Sequence, residues 1–279
     1  MSRSARFGRA TAALAGLTAG ILAASTGTSL AGSSTPARGA MTSVHQRPAA
    51  PAGSVKAVVV RSWGGCSSGS LIWDDLNANW SNYGTIPIVI DYSDPALCGG
   101  DVVVTLAALE ANGAQTVILS DLAGGNQQWS ASEVMALRQY AREGHNVVGT
   151  YATFVWGTTD NSALVPLFGL SSNQTYGGGT TSIVPTYQLR APGLPLFRDV
   201  GNPYVSSGYN YAQTPTDGAW STNELTTGKL AGRTSDAQAA IVVRKAPTFY
   251  SIYIANMPEY NGGTADKQFF YNAIIFPAT

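Results

Sequence analysis

The sequence predicts an α/β domain: a three-layer sandwich whose sheet is mainly parallel, with an antiparallel extension at its C-terminal end. Three observations predict it. From about residue 54 onward, short β-branched runs alternate with stretches whose apolar residues recur at helical spacing. The connections between them are short, which sets the strands parallel with helices on both faces. Near the end, two strand-like runs flank a tight turn at Ala246-Pro247, the pattern of an antiparallel pair.

The elements follow in order. Val55 to Arg61 (VKAVVVR) is bounded by Gly and Ser and reads as a strand buried on both faces. Ser70 to Tyr83 places Leu71, Ile72, Leu76 and Trp80 on a helical stripe, with Trp73 and Trp80 toward the core. Ile86 to Asp91 is a second strand. Thr105 to Asn112 is a short helix stopped by Gly113, the usual left-handed terminator. Thr116 to Ser120 is a third strand. Ser130 and Glu133 form a capping-box pair at the start of a helix that ends at Gly144. Asn146 to Tyr151 is a fourth strand and Ser162 to Phe168 a short helix. Gly177 opens a Gly-, Thr- and Tyr-rich loop that reaches to about Gly232. Ala239 to Arg244 and Phe249 to Ala255 are the antiparallel pair, and Ala265 to Phe276 is the closing helix. This succession is that of a flavodoxin-like sandwich, whose ligands bind beyond the carboxyl ends of the strands. Residues 62–70, 91–100, 121–128 and 151–160 make up that edge.

Ahead of the domain, Arg3, Arg6 and Arg9 precede an apolar run from about Ala12 to Ala24, and Ser29-Leu30-Ala31 precedes Gly32. The order of charge, apolar run and small-residue site is that of a signal peptide over 1–31. The run is shorter than the roughly 20 residues of a spanning helix. Paired arginines are absent there, and no cysteine follows the run to carry a lipid. Residues 32–53 are rich in Ser, Pro, Ala and Gly and read as a flexible spacer, with the domain over 54–279. The protein is therefore expected to be secreted, extracellular or at the cell envelope. The chain holds 16 basic and 16 acidic residues, and cleavage after Ala31 removes three of the former and none of the latter. With no basic cluster, a nucleic-acid partner is not expected, nor is an integral membrane segment after the signal.

The two cysteines, Cys66 and Cys98, follow the first and second strands, which are neighbours in this topology. In an exported chain that placement predicts a disulfide. Without nearby histidines the pair is not a zinc site. Ser67, Ser68 and Ser70 lie in a Gly-rich loop that could cradle an anion, but GGCSSGS lacks the Walker lysine and the dinucleotide spacing. No cofactor is expected. Asp121 ends the third strand just before Ala123-Gly124-Gly125-Asn126 and is the best-placed carboxylate; its structural alternative is to cap that turn. Glu133, Asp160 and Glu259 are further candidates, Glu133 otherwise completing its capping box and the other two otherwise solvated. Trp63, Trp129, Trp156, Tyr92 and Tyr151 lie on or near the edge, where exposed aromatic rings would suit sugar stacking. His145 lies at the amino edge, away from these groups.

The run Leu106 to Tyr151 resembles the class I glutamine-amidotransferase-like superfamily, and its trehalose-utilisation (ThuA-like) branch in particular. The segments Ser162 to Leu170 and Asp266 to Ile274 resemble the short helix and the closing helix of the same proteins. The resemblance implies a nucleophile elbow at Gly149-Thr150-Tyr151-Ala152-Thr153, where a G-x-C-x-G turn would hold a cysteine. Here Tyr151 or Ala152 takes the nucleophile's place, and no histidine follows His145. The amidotransferase triad is absent. The expected function is binding of a polar ligand, with carbohydrate as the candidate, through Asp121, Asn126, Tyr151, Trp156, Ser67 and Glu259. One alternative is a carboxylate-dependent hydrolase of glycans or related polar substrates, using Asp121 and Glu259. The other is a protein-interaction module of the cell envelope.

Overall fold

The structure is a computed structural model that describes residues 50–61, 66, 71–99, 101–171, 182–186, 195–207, 225–234 and 237–276. The chain divides into two compact units, Met1–Arg47 and Pro48–Thr279, and every described residue belongs to the second. The signal peptide and most of the spacer, as well as Trp63, Ser67, Ser68 and Ser70, lie outside the described residues.

Strands β1 (Val55–Val59), β2 (Ile88–Asp91), β3 (Thr116–Ser120), β4 (Asn146–Thr150) and β11 (Tyr250–Ile254) lie parallel in the order β2-β1-β3-β4-β11. That is the flavodoxin-like order with its switch point between β1 and β3. Right-handed crossovers that reverse direction at the switch point place successive helices on opposite faces. Helix α1 (Trp73–Asn79) meets α4 (Thr264–Ile275) through Trp73 and Phe270, whose ring centroids are 5.0 Å apart. Helices α2 (Leu106–Asn112) and α3 (Ala131–Arg142) pack together as the other layer.

Local signals account for the ends of these elements. Thr105 caps α2 and Gly113 ends it with φ 69°. Ser130 and Glu133 form the expected capping box on α3. Gly149 lies where a Cβ would sit 2.8 Å from the Phe168 ring, so the middle of β4 requires glycine. Apart from the half-buried Lys56 of β1, apolar residues fill the strand interiors: Ala57, Val58 and Val59 on β1, Val117 to Leu119 on β3, and Val147 and Val148 on β4 are all buried.

Three expectations need adjustment. The first helix begins at Trp73 rather than Ser70, because Leu71 is taken up in a bridge to Tyr260. The second strand begins at Ile88, since the Ile86 N–H and C=O both pair with the Tyr271 hydroxyl on α4. The stretch read as a long loop contributes strands. β7 (Ser182–Pro185), β8 (Tyr204–Val205) and β9 (Lys229–Arg233) continue the sheet beyond β10 (Ala239–Lys245), all antiparallel, to give nine strands among the described residues. The β10–β11 hairpin itself is antiparallel as expected. Among the described residues no helix is long and apolar enough to cross a membrane.

Candidate functional site

The carboxyl edge of the parallel strands concentrates unusual backbone. Arg61 after β1, Asp121 after β3 and Tyr151 after β4 have φ of 29°, 44° and 44°. A non-glycine residue in that region costs roughly 1–3 kcal/mol and persists only where its surroundings over-determine it. Tyr151 is held on both sides. Its N–H donates to the Ile254 carbonyl at 2.7 Å, and its own carbonyl accepts from the Tyr253 hydroxyl and the Thr153 N–H at 2.9 Å each. Asp121 lies so close over the following turn that a Cβ on Gly124 would fall 2.1 Å from its Oδ1. Arg61 is pinned by a 2.6 Å ion pair to Glu133.

Glu259 is entirely buried. Ser120 and Thr150, the last residues of β3 and β4, both donate hydroxyl hydrogen bonds to its Oε1, Ser120 at 2.6 Å. Thr150 Oγ1 also accepts from the Asp121 N–H at 3.3 Å, so the two strand ends and the carboxyl form one relay. Burial pushes the Glu259 carboxyl up to about 7, against the hydroxyl donors and its own N–H, which pull it down, and the charge of Asp266 adds to the rise. Its Oε2 has no hydrogen-bonding partner. Of the two expectations for Glu259, a ligand group or a solvated loop charge, the second is wrong. The residue is held inside because the Glu259 carbonyl accepts from the Ile72 N–H at 3.0 Å at the entrance to α1.

Tyr151 belongs to a small apolar cluster separate from the main core. Tyr151, Ala152 and Met257 are its buried members, with Trp156 and Tyr260 partly exposed against them. The Tyr151 and Trp156 ring centroids are 6.0 Å apart. Trp156 stands on a small hairpin of β5 (Val155–Trp156) and β6 (Thr159–Asp160). In an elbow the turn after the strand leads into a helix whose N–H groups face the nucleophile. Here it leads into that hairpin, and Tyr151 is only 2% exposed.

The structure therefore brings Asp121, Tyr151, Trp156 and Glu259 to one edge. Asn126 lies on the same loop as Asp121, exposed, with φ 58°. Cys66 and Cys98 form the expected disulfide, Cα atoms 5.4 Å apart, and no described cysteine is free. Glu133 serves its capping box. Burial pushes it up, but the N–H groups of Ser130 and Val104 and the Arg61 guanidinium hold it below its ordinary value. Asp160 caps Ser162, whose donors hold it low, at a distance in the chain from the relay. His145 stacks on Tyr140 at 3.7 Å and bonds the Ala114 carbonyl at 2.8 Å.

Three residues of the edge escape sequence reasoning. Asn256, which follows β11, is 1% exposed and neither Oδ1 nor Nδ2 has a partner. Ser120 and Thr150 read as ordinary strand ends; their only signal is a hydroxyl at the last position of two adjacent buried strands.

No protein-family description matches the chain, and no curated protein does. Solved structures with a similar layout include a GMP synthase subunit protein of Thermoplasma acidophilum. It is 16% identical over 81% of this chain and 94% of its own, with a TM-score of 0.47. A ThuA-like protein of Bacteroides uniformis is 14% identical over 82% and 95%, with a TM-score of 0.45. A β-galactosidase of Rahnella sp. R3 is 13% identical over 80% of this chain, with a TM-score of 0.44. The chain spans about a third of that enzyme, at 31% of its length. At these identities and scores the likeness assigns neither a family nor an activity.

Proposed function

We propose that the chain is an exported, amidotransferase-like domain of the ThuA-like kind that performs no glutamine chemistry and binds a small polar ligand, a carbohydrate, at the carboxyl edge of its sheet. One observation carries the reading. The position that would hold a nucleophile is Tyr151, forced to φ 44° beside the partly exposed Trp156, and the buried Glu259 carboxyl accepts from the hydroxyl of the preceding Thr150. A strained residue in that place is the mark of a site, and a thiol cannot supply the chemistry because the cysteine pair is spent in the disulfide. An aromatic shelf beside hydrogen-bonding groups is what a sugar ring requires. Export accords with the disulfide and with the N-terminal sequence.

The test is binding of the full exported chain to an array of glycans and small metabolites, repeated with Trp156→Ala. We expect a carbohydrate ligand whose affinity falls at least tenfold in the variant, and no release of ammonia from glutamine. Glutamine hydrolysis, or a ligand indifferent to Trp156, would overturn the reading.

A second reading is favoured by the titration of Glu259 near neutrality, where a carboxyl can act as a general acid. In that case Glu259→Gln and Asp121→Asn would each abolish hydrolysis of a glycan while leaving its binding intact.

A further inference from the structure

We propose that Asn77 and Tyr271 plug the outer edge of the sheet at β2, standing in for an absent strand, and that they keep this edge from pairing with the same edge of a second copy of the chain. This lateral edge is distinct from the carboxyl edge, and its state does not depend on any ligand bound there.

Strand β2 is where such protection is needed. Among the described residues it pairs on one side only, with β1, in unbroken register from Val55↔Ile88 to Val58↔Asp91. An edge strand presents a row of N–H and C=O groups that can template another chain. The run Thr85-Ile86-Pro87-Ile88-Val89-Ile90 is rich in β-branched residues and uncharged, a composition prone to such pairing. Native sheets guard an edge with charge, a bulge or proline. This run has no charge and no bulge against β1. Its one proline faces inward, where the Pro87 carbonyl accepts from the Val55 N–H at 2.8 Å.

Backbone groups alternate along a strand, so those of Ile86, Ile88 and Ile90 point away from β1. At Ile90, Asn77 of α1 meets both of them. Its Oδ1 accepts from the N–H at 2.7 Å and its Nδ2 donates to the carbonyl at 3.0 Å. Exchange of two bonds with a single residue is what a hydrogen-bonded partner in an antiparallel ladder makes. At Ile86, the Tyr271 hydroxyl of α4 accepts from the N–H at 3.0 Å and donates to the carbonyl at 2.8 Å. The fold makes room for that hydroxyl, since a Cβ on Gly84 would fall 2.5 Å from it. Tyr271 is buried, Asn77 is half-buried, and the buried Ile88 lies between the two plugged positions. A second strand reaches these groups only by displacing both side chains.

The strand that the plugs exclude is the same strand of another copy. Two identical edges meet about a two-fold axis, which sets the two β2 strands antiparallel and joins both sheets into one. Each edge then offers the same uncharged run, so no like charges oppose each other across the junction. An unrelated strand would need its own match to this run, whereas a second copy carries it already.

The experiment follows assembly of the full protein by sedimentation over a wide range of concentration, together with hydrogen exchange at the Ile86 and Ile90 N–H groups. Asn77→Ala should speed exchange at Ile90 roughly tenfold when dilute. As concentration rises, it should form a larger species in which Ile90 is protected again. Asn77→Asp loses the same donor but puts a charge on the edge, so it should keep the parent's assembly state. Tyr271→Phe keeps the ring, frees Ile86 and should associate more weakly, which preserves the test if Asn77→Ala does not fold. Asn79→Ala removes a bond to Asp75 on the same helix and should change nothing. Association of Asn77→Ala without renewed protection of Ile90 would place the contact elsewhere and overturn the proposal. An unchanged assembly state with Ile90 or Ile86 freed would do the same. So would equal association of the Ala and Asp variants, or association of Asn79→Ala, since a loosened fold accounts for either.

Discussion

Two neighbouring regions of the C-terminal stretch each bury a carboxyl completely, and they treat it in opposite ways. At the start of α4, Asp266 accepts from the hydroxyls of Tyr204 and Ser206 at 2.5 Å each. It also accepts from the N–H and hydroxyl of Ser207 and from the Gly263 N–H, at 2.9–3.0 Å. Both its oxygens are filled by donors from the strand segment and the helix start that it joins. Seven positions earlier in the chain, Glu259 has donors on one oxygen only. Burial alone therefore does not mark a functional acid. What separates the two is whether the fold has spent the group's hydrogen-bonding capacity, as at Asp266, or left some of it open, as at Glu259.

The largest expected effect breaks the satisfied side of this comparison. Asp266→Ala strands a buried tyrosine hydroxyl, serines and backbone donors at once, so it should cost about 3–5 kcal/mol, as the loss of one partner from a buried charged network does. Burial and the adjacent carboxylate hold the Tyr204 phenol well above its ordinary value, so ionisation of Tyr204 offers no relief. Urea unfolding of the protein measures it. A loss below about 1 kcal/mol would mean the knot is ornamental and the contrast with Glu259 empty.

Glu259→Gln tests the open side, and its sign depends on pH. The carboxyl is raised from its ordinary 4.5 to about 7 in the folded protein. Its contribution is fully present below about pH 4.5 and is lost as pH rises through 7, because the unfolded chain releases the proton first. Glutamine keeps an acceptor for Ser120 and Thr150 and never ionises. The variant should match the parent near pH 4 and surpass it by on the order of 2–3 kcal/mol at pH 8. Unfolding curves across that range check it, and a constant difference would place the carboxyl outside the buried relay.

The same contrast explains how much was readable in the chain. The parallel half was legible because its signals are local: β-branched runs, the Ser130–Glu133 box, and the glycines at 113 and 144 that close α2 and α3. The antiparallel extension was not. Its β9 strand reads as broken by Gly232, yet that glycine is there because Ile183 of β7 packs over it, with 2.6 Å to a notional Cβ. Such a requirement lies in a partner almost fifty residues away and leaves no periodicity. At the site, Asp121, Tyr151 and Trp156 were legible from their places after strands. Glu259 was legible as a carboxylate but not as a buried one, since its burial depends on the bridge of Leu71 to Tyr260 and on two hydroxyls from other strands. Asn256 gave no signal, because an unpaired amide differs from a paired one only in three dimensions.

The smallest effect sharpens the comparison most. Ser120 donates to the one filled oxygen of Glu259. Ser120→Ala removes a donor that favours the charged form, so the Glu259 titration should move further above 7, while stability falls by only about 1 kcal/mol. The side-chain carboxyl carbon signal of Glu259, followed through pH by NMR, reads that shift directly. In the Asp266 knot a comparable deletion, Ser206→Ala, leaves the Tyr204, Ser207 and Gly263 donors in place. If Ser120→Ala lowers the Glu259 midpoint or leaves it fixed, the hydroxyls are not what holds this carboxyl. The difference between the two buried acids would then have to be sought in their surroundings rather than in their hydrogen bonds.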